Sequence, residues 1–244
     1  MTAEGTGSIG KSATGDILTA RKVYIVTMVQ PSAGAPEGFE EHYDAYWTAV
    51  DQQLSLIEAK AGTIVRIFAE GVVGKGDDAM QMVQQSNPGA HKVVRQRVSA
   101  GAVFEEFEDT DLFSKVVDWG RCLHIGLINP EVAEEIQGKY DDFTEKRAAH
   151  LHKRLEEGIL ESEAALVFGG DPNIKIPDGV EKFLVSPPEL DELERWVKKT
   201  NDEIQQQMDQ EKEFAQAGGS GDQQGAPGSA NDWTGSTGSG LFAP

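Results

Sequence analysis

The sequence predicts an α/β protein with a mainly parallel or mixed sheet of about five strands flanked by helices. Short apolar runs rich in β-branched residues alternate along the chain with longer segments of helical periodicity, which is typical of helices packed on a sheet. The first run, residues 23–29, is nearly continuous in apolar residues, which indicates a strand buried on both faces. The runs span residues 23–29, 63–69, 102–107, 164–168 and 182–185.

The segments between the runs predict the helices. The clearest has apolar residues at spacings of three and four and ends before Gly62, a residue that favours a helix end. Farther along, Asn129 and Pro130 suit the cap and the first position of a new helix. The predicted helical segments are residues 39–61, 77–98 with a break at 87–89, 111–157 with a break near 129–130, and 188–197.

Composition divides the chain into one folded domain and two flexible ends. Residues 1–20 are small and polar, and residues 214–244 are rich in Gly and Ser, so both segments are expected to be disordered. Residues 21–213 would form a single α/β domain. The N-terminal arm contains Gly5-Thr6-Gly7-Ser8-Ile9-Gly10-Lys11-Ser12, which matches the phosphate-binding P-loop pattern. Because no apolar strand precedes it, we interpret the match as accidental.

The charge balance limits the classes of partner. The net charge is −19, with 41 acidic against 22 basic residues, so the chain repels phosphate backbones and nucleic acid is not expected as a partner. No apolar stretch is long enough for a transmembrane segment, and the first twenty residues lack the pattern of a secretory signal. The single cysteine, Cys122, fits a reducing compartment. We therefore expect a soluble, cytoplasmic protein.

The carboxyl ends of the predicted strands mark the expected binding site, because ligands of open α/β sheets bind there. Gln30, Glu70 and Asp171 follow three of the strands. An acidic cluster follows another strand, and it could hold Mg²⁺ or Ca²⁺. Without EF-hand spacing, we prefer to interpret it as a solvated acidic turn that starts a helix. Its members are Glu105, Glu106, Glu108, Asp109 and Asp111.

One predicted helix face adds basic groups to this region. Arg147, His150 and Arg154 recur at spacings of three and four and share a face that could point at an anionic group beyond the sheet. A solvated helix face is the simpler alternative. His124, between two apolar residues, is expected to pack in a core. The sequence has no zinc-type spacing of Cys and His and no nucleophile elbow, so no residue is assigned as catalytic.

The C-terminal tail carries large apolar residues that a linker does not need. Trp233, Leu241 and Phe242 lie within Gly/Ser-rich sequence. Such side chains are typical anchors for pockets on a partner, and a flexible tether raises their effective concentration. They predict a partner-binding tail, and the alternative is a featureless tail with chance aromatic residues.

Several motifs occur in an order found in a known type of domain. They are the strand ends at Gln30 and Glu70, the turn 100–103 that leads to Glu108-Asp109, the segment 145–150 with Arg147, and the segment 166–170. This order resembles the TraB/Tiki family of α/β domains, some of which are proposed to be metal-dependent hydrolases. The resemblance implies that Glu70 and Arg147 occupy family positions, whereas Gln30 and either Asp171 or Pro172 stand in place of the metal-binding histidines.

Two functions from different classes follow from this comparison. Loss of both imidazoles removes the best transition-metal ligands, which favours a binding or assembly protein on a degenerate hydrolase-like scaffold, with no cofactor. Its tail would dock on a protein partner or on another copy in a homo-oligomer. The alternative is a metal-dependent hydrolase that uses carboxylate ligands for Mg or Mn. The expected pocket residues are Gln30, Glu70, Asp109, Arg147, His150 and Asp171.

Overall fold

The computed structural model describes residues 20–31, 34–170 and 174–217, with side chains as far as residue 212. In this part of the chain a five-stranded sheet forms, and each of its strand pairs is parallel. The predicted α/β class is confirmed. The strands are β1 Arg21–Thr27, β2 Ile64–Ala69, β3 Val103–Phe104, β4 Ala164–Gly169 and β5 Val180–Val185. Their order across the sheet is β3-β2-β4-β1-β5.

Helices occupy the segments between successive strands from β1 to β4 and the segment after β5. The predicted breaks near residues 87 and 129 are both present, and Asn87 and Asn129 cap the helices that follow them. The final helix extends about twenty residues beyond the predicted end at Val197. Over the described residues the helices are α1 Phe39–Ala61, α2 Gly76–Ser86, α3 Pro88–Ser99, α4 Thr110–Leu123, α5 Pro130–Gly158 and α6 Pro188–Ala217.

The third strand is shorter than the predicted residues 102–107. β3 is an edge strand of two residues, and the Glu105 N–H makes one more bond to the Ile67 carbonyl at 2.9 Å. The chain then buries both Phe107 and Glu108, at 0% and 1% exposure. After that bond the chain leaves the sheet, where Phe107 joins the core against α5 and Glu108 pairs with Arg147 of that helix.

The face of the sheet toward α1, α2, α3 and α6 holds the larger core. The Trp47 ring of α1 lies 5.1 Å from the Tyr46 ring and 6.0 Å from that of Phe168 on β4. Gly89, in the first turn of α3, lies so close to Trp47 that a Cβ there would come within 2.1 Å of the ring. This close approach explains why the helix start at residues 87–89 requires a glycine.

The opposite face packs against the C-terminal part of α5. Leu151 and Leu155 of this helix, with Ile159 just after it, pack with Phe68 and Val167 of the sheet. These contacts fix the direction in which α5 leaves the sheet. Its C-terminal part lies on the strands, and its earlier residues extend beyond their carboxyl ends.

Asn87 connects three elements of the larger core. Its side-chain oxygen accepts hydrogen bonds from the Tyr43 hydroxyl at 2.5 Å and from the Ala90 N–H at 3.0 Å. Its amide nitrogen donates to the Val29 carbonyl at 2.7 Å and lies 3.3 Å from Oε1 of Gln30. The residue is 1% exposed. One buried amide therefore joins α1, the end of β1 and the first turn of α3.

Buried tyrosines predict an alkaline limit to stability. Burial raises the pKa of Tyr43 to about 12, and burial together with the charges of Glu58 and Glu181 raises that of Tyr24 to about 12. The unfolded chain loses these protons near pH 10, whereas the folded chain keeps them. We therefore expect the free energy of unfolding to fall above pH 10, by up to ~1.4 kcal/mol per pH unit for each tyrosine.

The measurement is chemical unfolding at a series of pH values from 8 to about 11.5. A matched variant is Tyr24→Phe, because the Tyr24 hydroxyl has no hydrogen-bond partner among the described residues. The variant is expected to fold and to show a shallower decline above pH 10. An identical decline in both proteins would contradict the role of Tyr24.

Candidate functional site

Two carboxylates lie where β2 and β3 end at the carboxyl edge of the sheet. Glu70 directly follows β2, and its N–H continues the ladder to the Phe168 carbonyl at 2.8 Å. Glu108 lies four residues after β3 and is buried. Gly71 adopts a positive φ of 75° after β2, and its N–H donates to Glu108 Oε1 at 2.8 Å. The turn after β2 therefore holds the carboxylate that follows β3.

Arg147 of α5 contacts both of these carboxylates. Its Nε donates to Glu108 Oε2 at 2.9 Å, and its Nη2 donates to Glu108 Oε1 in a second, short hydrogen bond. The same Nη2 lies 3.5 Å from Glu70 Oε2. The ring of Phe113 lies beside the guanidinium, 5.7 Å from its carbon to the ring centroid. We call Glu70, Glu108 and Arg147 the strand-end triad.

The electrostatics of the strand-end triad favour the charged form of the arginine. Burial acts to lower the pKa of Arg147, but hydrogen bonds and charge from Glu108 and then Glu70 outweigh it, and the pKa is raised. A two-point pairing of guanidinium with carboxylate is among the strongest hydrogen-bond geometries in proteins. Both oxygens of Glu108 are therefore occupied by Arg147 and the backbone of Gly71.

A pocket of about 370 Å³ lies beside the strand-end triad. Asp109 forms part of its wall and also caps α4, accepting a hydrogen bond from the Leu112 N–H at 2.9 Å. Arg154 donates from Nε to the Glu106 carbonyl at 2.9 Å. Carboxylates outnumber basic groups, so the wall would attract cations over anions. The pocket is lined by Glu106, Glu108, Asp109, Thr110, Asp111, His150 and Arg154.

The structure brings together four of the six predicted pocket residues. Glu70 and Arg147 belong to the strand-end triad, and Asp109 and His150 line the adjacent pocket. Gln30 instead hydrogen-bonds to Asn87, which is packed among α1, α3 and the end of β1. Asp171 lies outside the described residues, as do Trp233, Leu241, Phe242 and the P-loop match at residues 5–12.

The anionic groups met by the basic face of α5 belong to this chain. Arg147 pairs with Glu108 and Glu70, so the alternative of a fully solvated face is wrong for this residue. The prediction of a solvated acidic turn is also wrong for Glu108, although Glu106 and Asp111 are exposed. The burial of Glu108 could not be predicted from the run of five neighbouring carboxylates, because nothing in the run distinguishes the one that faces inward. Its neighbour Phe107, a large apolar residue within that run, was the available signal.

Among the described residues, no cluster of three or more His, Cys, Asp or Glu side chains has a geometry suited to a metal ion. Glu70 and Glu108 lie near each other, but both face Arg147, whose positive charge competes with a cation for them.

Comparisons with known proteins returned no match: not among protein-family models, not among curated proteins and not among solved structures. The resemblance to the TraB/Tiki family stays a hypothesis that depends on the motifs alone. Within the described ranges, none of the helices combines the length and the apolar composition needed to span a bilayer.

Proposed function

We propose that this protein is a binding or assembly component and that its strand-end triad stabilises the fold instead of catalysing a reaction. The observation that carries the proposal is the pairing of Arg147 with Glu108 and Glu70. A general base needs a free lone pair, and a metal site needs carboxylates that face the ion. In the strand-end triad the carboxylates face an arginine of the same chain.

The scaffold would be a hydrolase-like α/β domain without its catalytic groups. Under the TraB/Tiki resemblance, Gln30 and either Asp171 or Pro172 stand in place of histidines, and Gln30 is a hydrogen-bond partner of Asn87. A neutral amide that bonds to a core residue is a poor substitute for an imidazole ligand. Other parts of the chain would then bind the partner, including the tail residues Trp233, Leu241 and Phe242.

The competing function is a metal-dependent hydrolase, and calorimetric titration of the full chain with Mg²⁺, Mn²⁺ and Zn²⁺ separates the two. We expect no saturable heat, because both buried carboxylates face Arg147, whose positive charge competes with a cation for them. Saturable heat that Glu70→Ala abolishes would overturn the proposal in favour of the hydrolase. The matched control is Glu157→Ala, which removes a carboxylate that is 54% exposed on α5.

The tail has a separate test. Removal of residues 218–244 is expected to release a partner that co-purifies with the full chain, since the anchoring aromatic residues go with it. If the shortened chain keeps that partner, the tail is not the docking segment.

A further inference from the structure

The helices α4 and α5 form a hairpin that joins the domain at its base. The two helices pack on each other over residues 110–150, which we call the hairpin. No residue from 109 to 150 is buried. Glu108, just before this stretch, and Leu151, just after it, are 1% and 4% exposed. The buried core of the domain therefore stops on both sides of the hairpin.

The packing of the hairpin is mostly internal. The apolar side chains of α4 are half-buried, and α5 is the helix against which they pack. Among the described elements, every other helix or strand has at most slight contact with α4. Short helices in water owe most of their stability to tertiary packing, and a pair of helices buries less apolar surface than a bundle. The hairpin therefore depends on its connection to the domain in order to stay folded.

The tip of the hairpin lies in solvent. Ile128 is 98% exposed and Ile125 is 70% exposed. His124, which the sequence predicts to be in a core, is exposed beside them. The apolar residues on both sides of His124 suggested a core, but the structure places this segment at the hairpin tip. The contacts that hold the hairpin to the domain are therefore at its base.

The strand-end triad closes the base of the hairpin. Arg147 belongs to the hairpin, whereas Glu108 precedes α4 and Glu70 follows β2. The two-point pairing of Arg147 with Glu108 joins the two ends of the hairpin to each other. The contact of Arg147 with Glu70 joins them to the carboxyl edge of the sheet. One arginine therefore connects both ends of the hairpin and the sheet.

Two polar atoms near the base make the closed hairpin less stable. Thr144 Oγ1 and His150 Nε2 are buried and have no hydrogen-bond partner among the described residues. A buried polar atom without a partner destabilises the structure that buries it, and water pairs with it once that structure opens. Local opening of the hairpin therefore relieves a cost that the closed state carries.

We propose that the hairpin unfolds locally as one cooperative unit while the sheet stays folded, and that the strand-end triad is the latch that keeps it closed. Regions with few buried contacts open at a lower free energy than the core of the same domain. Opening withdraws Arg147 from Glu108 and Glu70, so access to the strand-end carboxylates depends on the hairpin. The inference goes beyond the proposed function, because it holds whatever partner the protein binds.

The experiment is native-state hydrogen exchange of the full chain, read by mass spectrometry of its peptides, at guanidinium concentrations below the unfolding transition. Amides of α4 and of residues 130–147 are expected to share one protection factor, at least about tenfold lower than that of β4. Their protection should also depend less on denaturant, because local opening exposes less surface than global unfolding. Equal protection and equal denaturant dependence in the hairpin and β4 would overturn the proposal, and different protection in α4 and α5 would contradict a single unit.

Two variants separate the latch from the core. Arg147→Met removes a contact that is lost in local opening and in global unfolding, so protection of the hairpin and of β4 should fall by the same factor, about a hundredfold or more. The matched variant is Ile67→Val, at a residue of the larger core that is 0% exposed and stays packed in the open state. It should lower the protection of β4 about 2- to 10-fold and leave that of the hairpin unchanged.

The variants give clear contrary outcomes. A loss of hairpin protection in Ile67→Val equal to that of β4 would show that the hairpin opens only with the whole domain. Unchanged hairpin protection in Arg147→Met would show that the strand-end triad is not its latch. Arg147→Lys serves as a milder variant if Arg147→Met does not fold, because it keeps the charge and loses the two-point pairing. It should lower the protection of the hairpin and of β4 by one shared, smaller factor.

Discussion

Replacement of Arg147 by Met is expected to lower the free energy of unfolding by about 3–5 kcal/mol, the range for breaking a buried ion pair from one side. The variant retains Glu108 and Glu70, which are 1% and 7% exposed in the wild type, but removes the guanidinium that pairs with them. Urea unfolding at neutral pH measures the loss.

Two control variants test whether the lost stability comes from the buried ion pair. Arg121→Met removes a surface arginine that is 58% exposed and pairs with Asp118, so it should change stability by less than about 0.5 kcal/mol. Adding Glu70→Gln and Glu108→Gln to Arg147→Met should restore part of the lost stability, since no buried charge is then left. A loss below about 1 kcal/mol in Arg147→Met would show that the strand-end triad is not a structural ion pair.

Replacement of Asn87 by Ala is expected to lower the free energy of unfolding by about 2–4 kcal/mol. The change removes the cap of α3, worth ~1 kcal/mol, and leaves the Val29 carbonyl and the Tyr43 hydroxyl buried without this partner. Each such orphaned polar group costs about 1–3 kcal/mol, so the buried contacts outweigh the cap itself. Chemical unfolding measures the difference from the wild type.

The matched control for Asn87 is Asn129→Ala. Asn129 also caps a helix that begins with proline, accepting from the Glu131 N–H at 2.8 Å and the Val132 N–H at 3.3 Å. It is exposed, so its replacement removes the cap alone and should cost about 1 kcal/mol. Equal losses in the two variants would mean that the buried contacts of Asn87 add nothing.

Much of the fold could be predicted because its signals are local. The continuous apolar run of β4 reflects burial on both faces, and the spacing of apolar residues in α1 follows from its contact with the sheet. The end of β3 could not be predicted, because it depends on the burial of Phe107 and Glu108 against distant elements. The length of α6 also lacked a strong signal, because Ile204 and Met208 are the only large apolar residues between Val197 and Phe214.

The candidate site was predictable only in outline. The order of strands and helices places Glu70 at the carboxyl edge of the sheet. The spacing of Arg147 and His150 places both residues on one helix face. The sequence does not indicate that Glu108, among five neighbouring carboxylates, is the one that Arg147 binds at two points. Nor does it indicate that Gln30 pairs with Asn87, which lies 57 residues away.

The sequence by itself determined the class of the fold, the placement of most strands and helices, and the edge of the sheet where charged residues gather. These features depend on periodicity and on residue preferences over short stretches. Only the tertiary structure decided that Arg147 pairs with the strand-end carboxylates and that no residue of α4 is fully buried. Both depend on the direction in which α5 leaves the sheet, and this direction is set by packing between residues far apart in the chain.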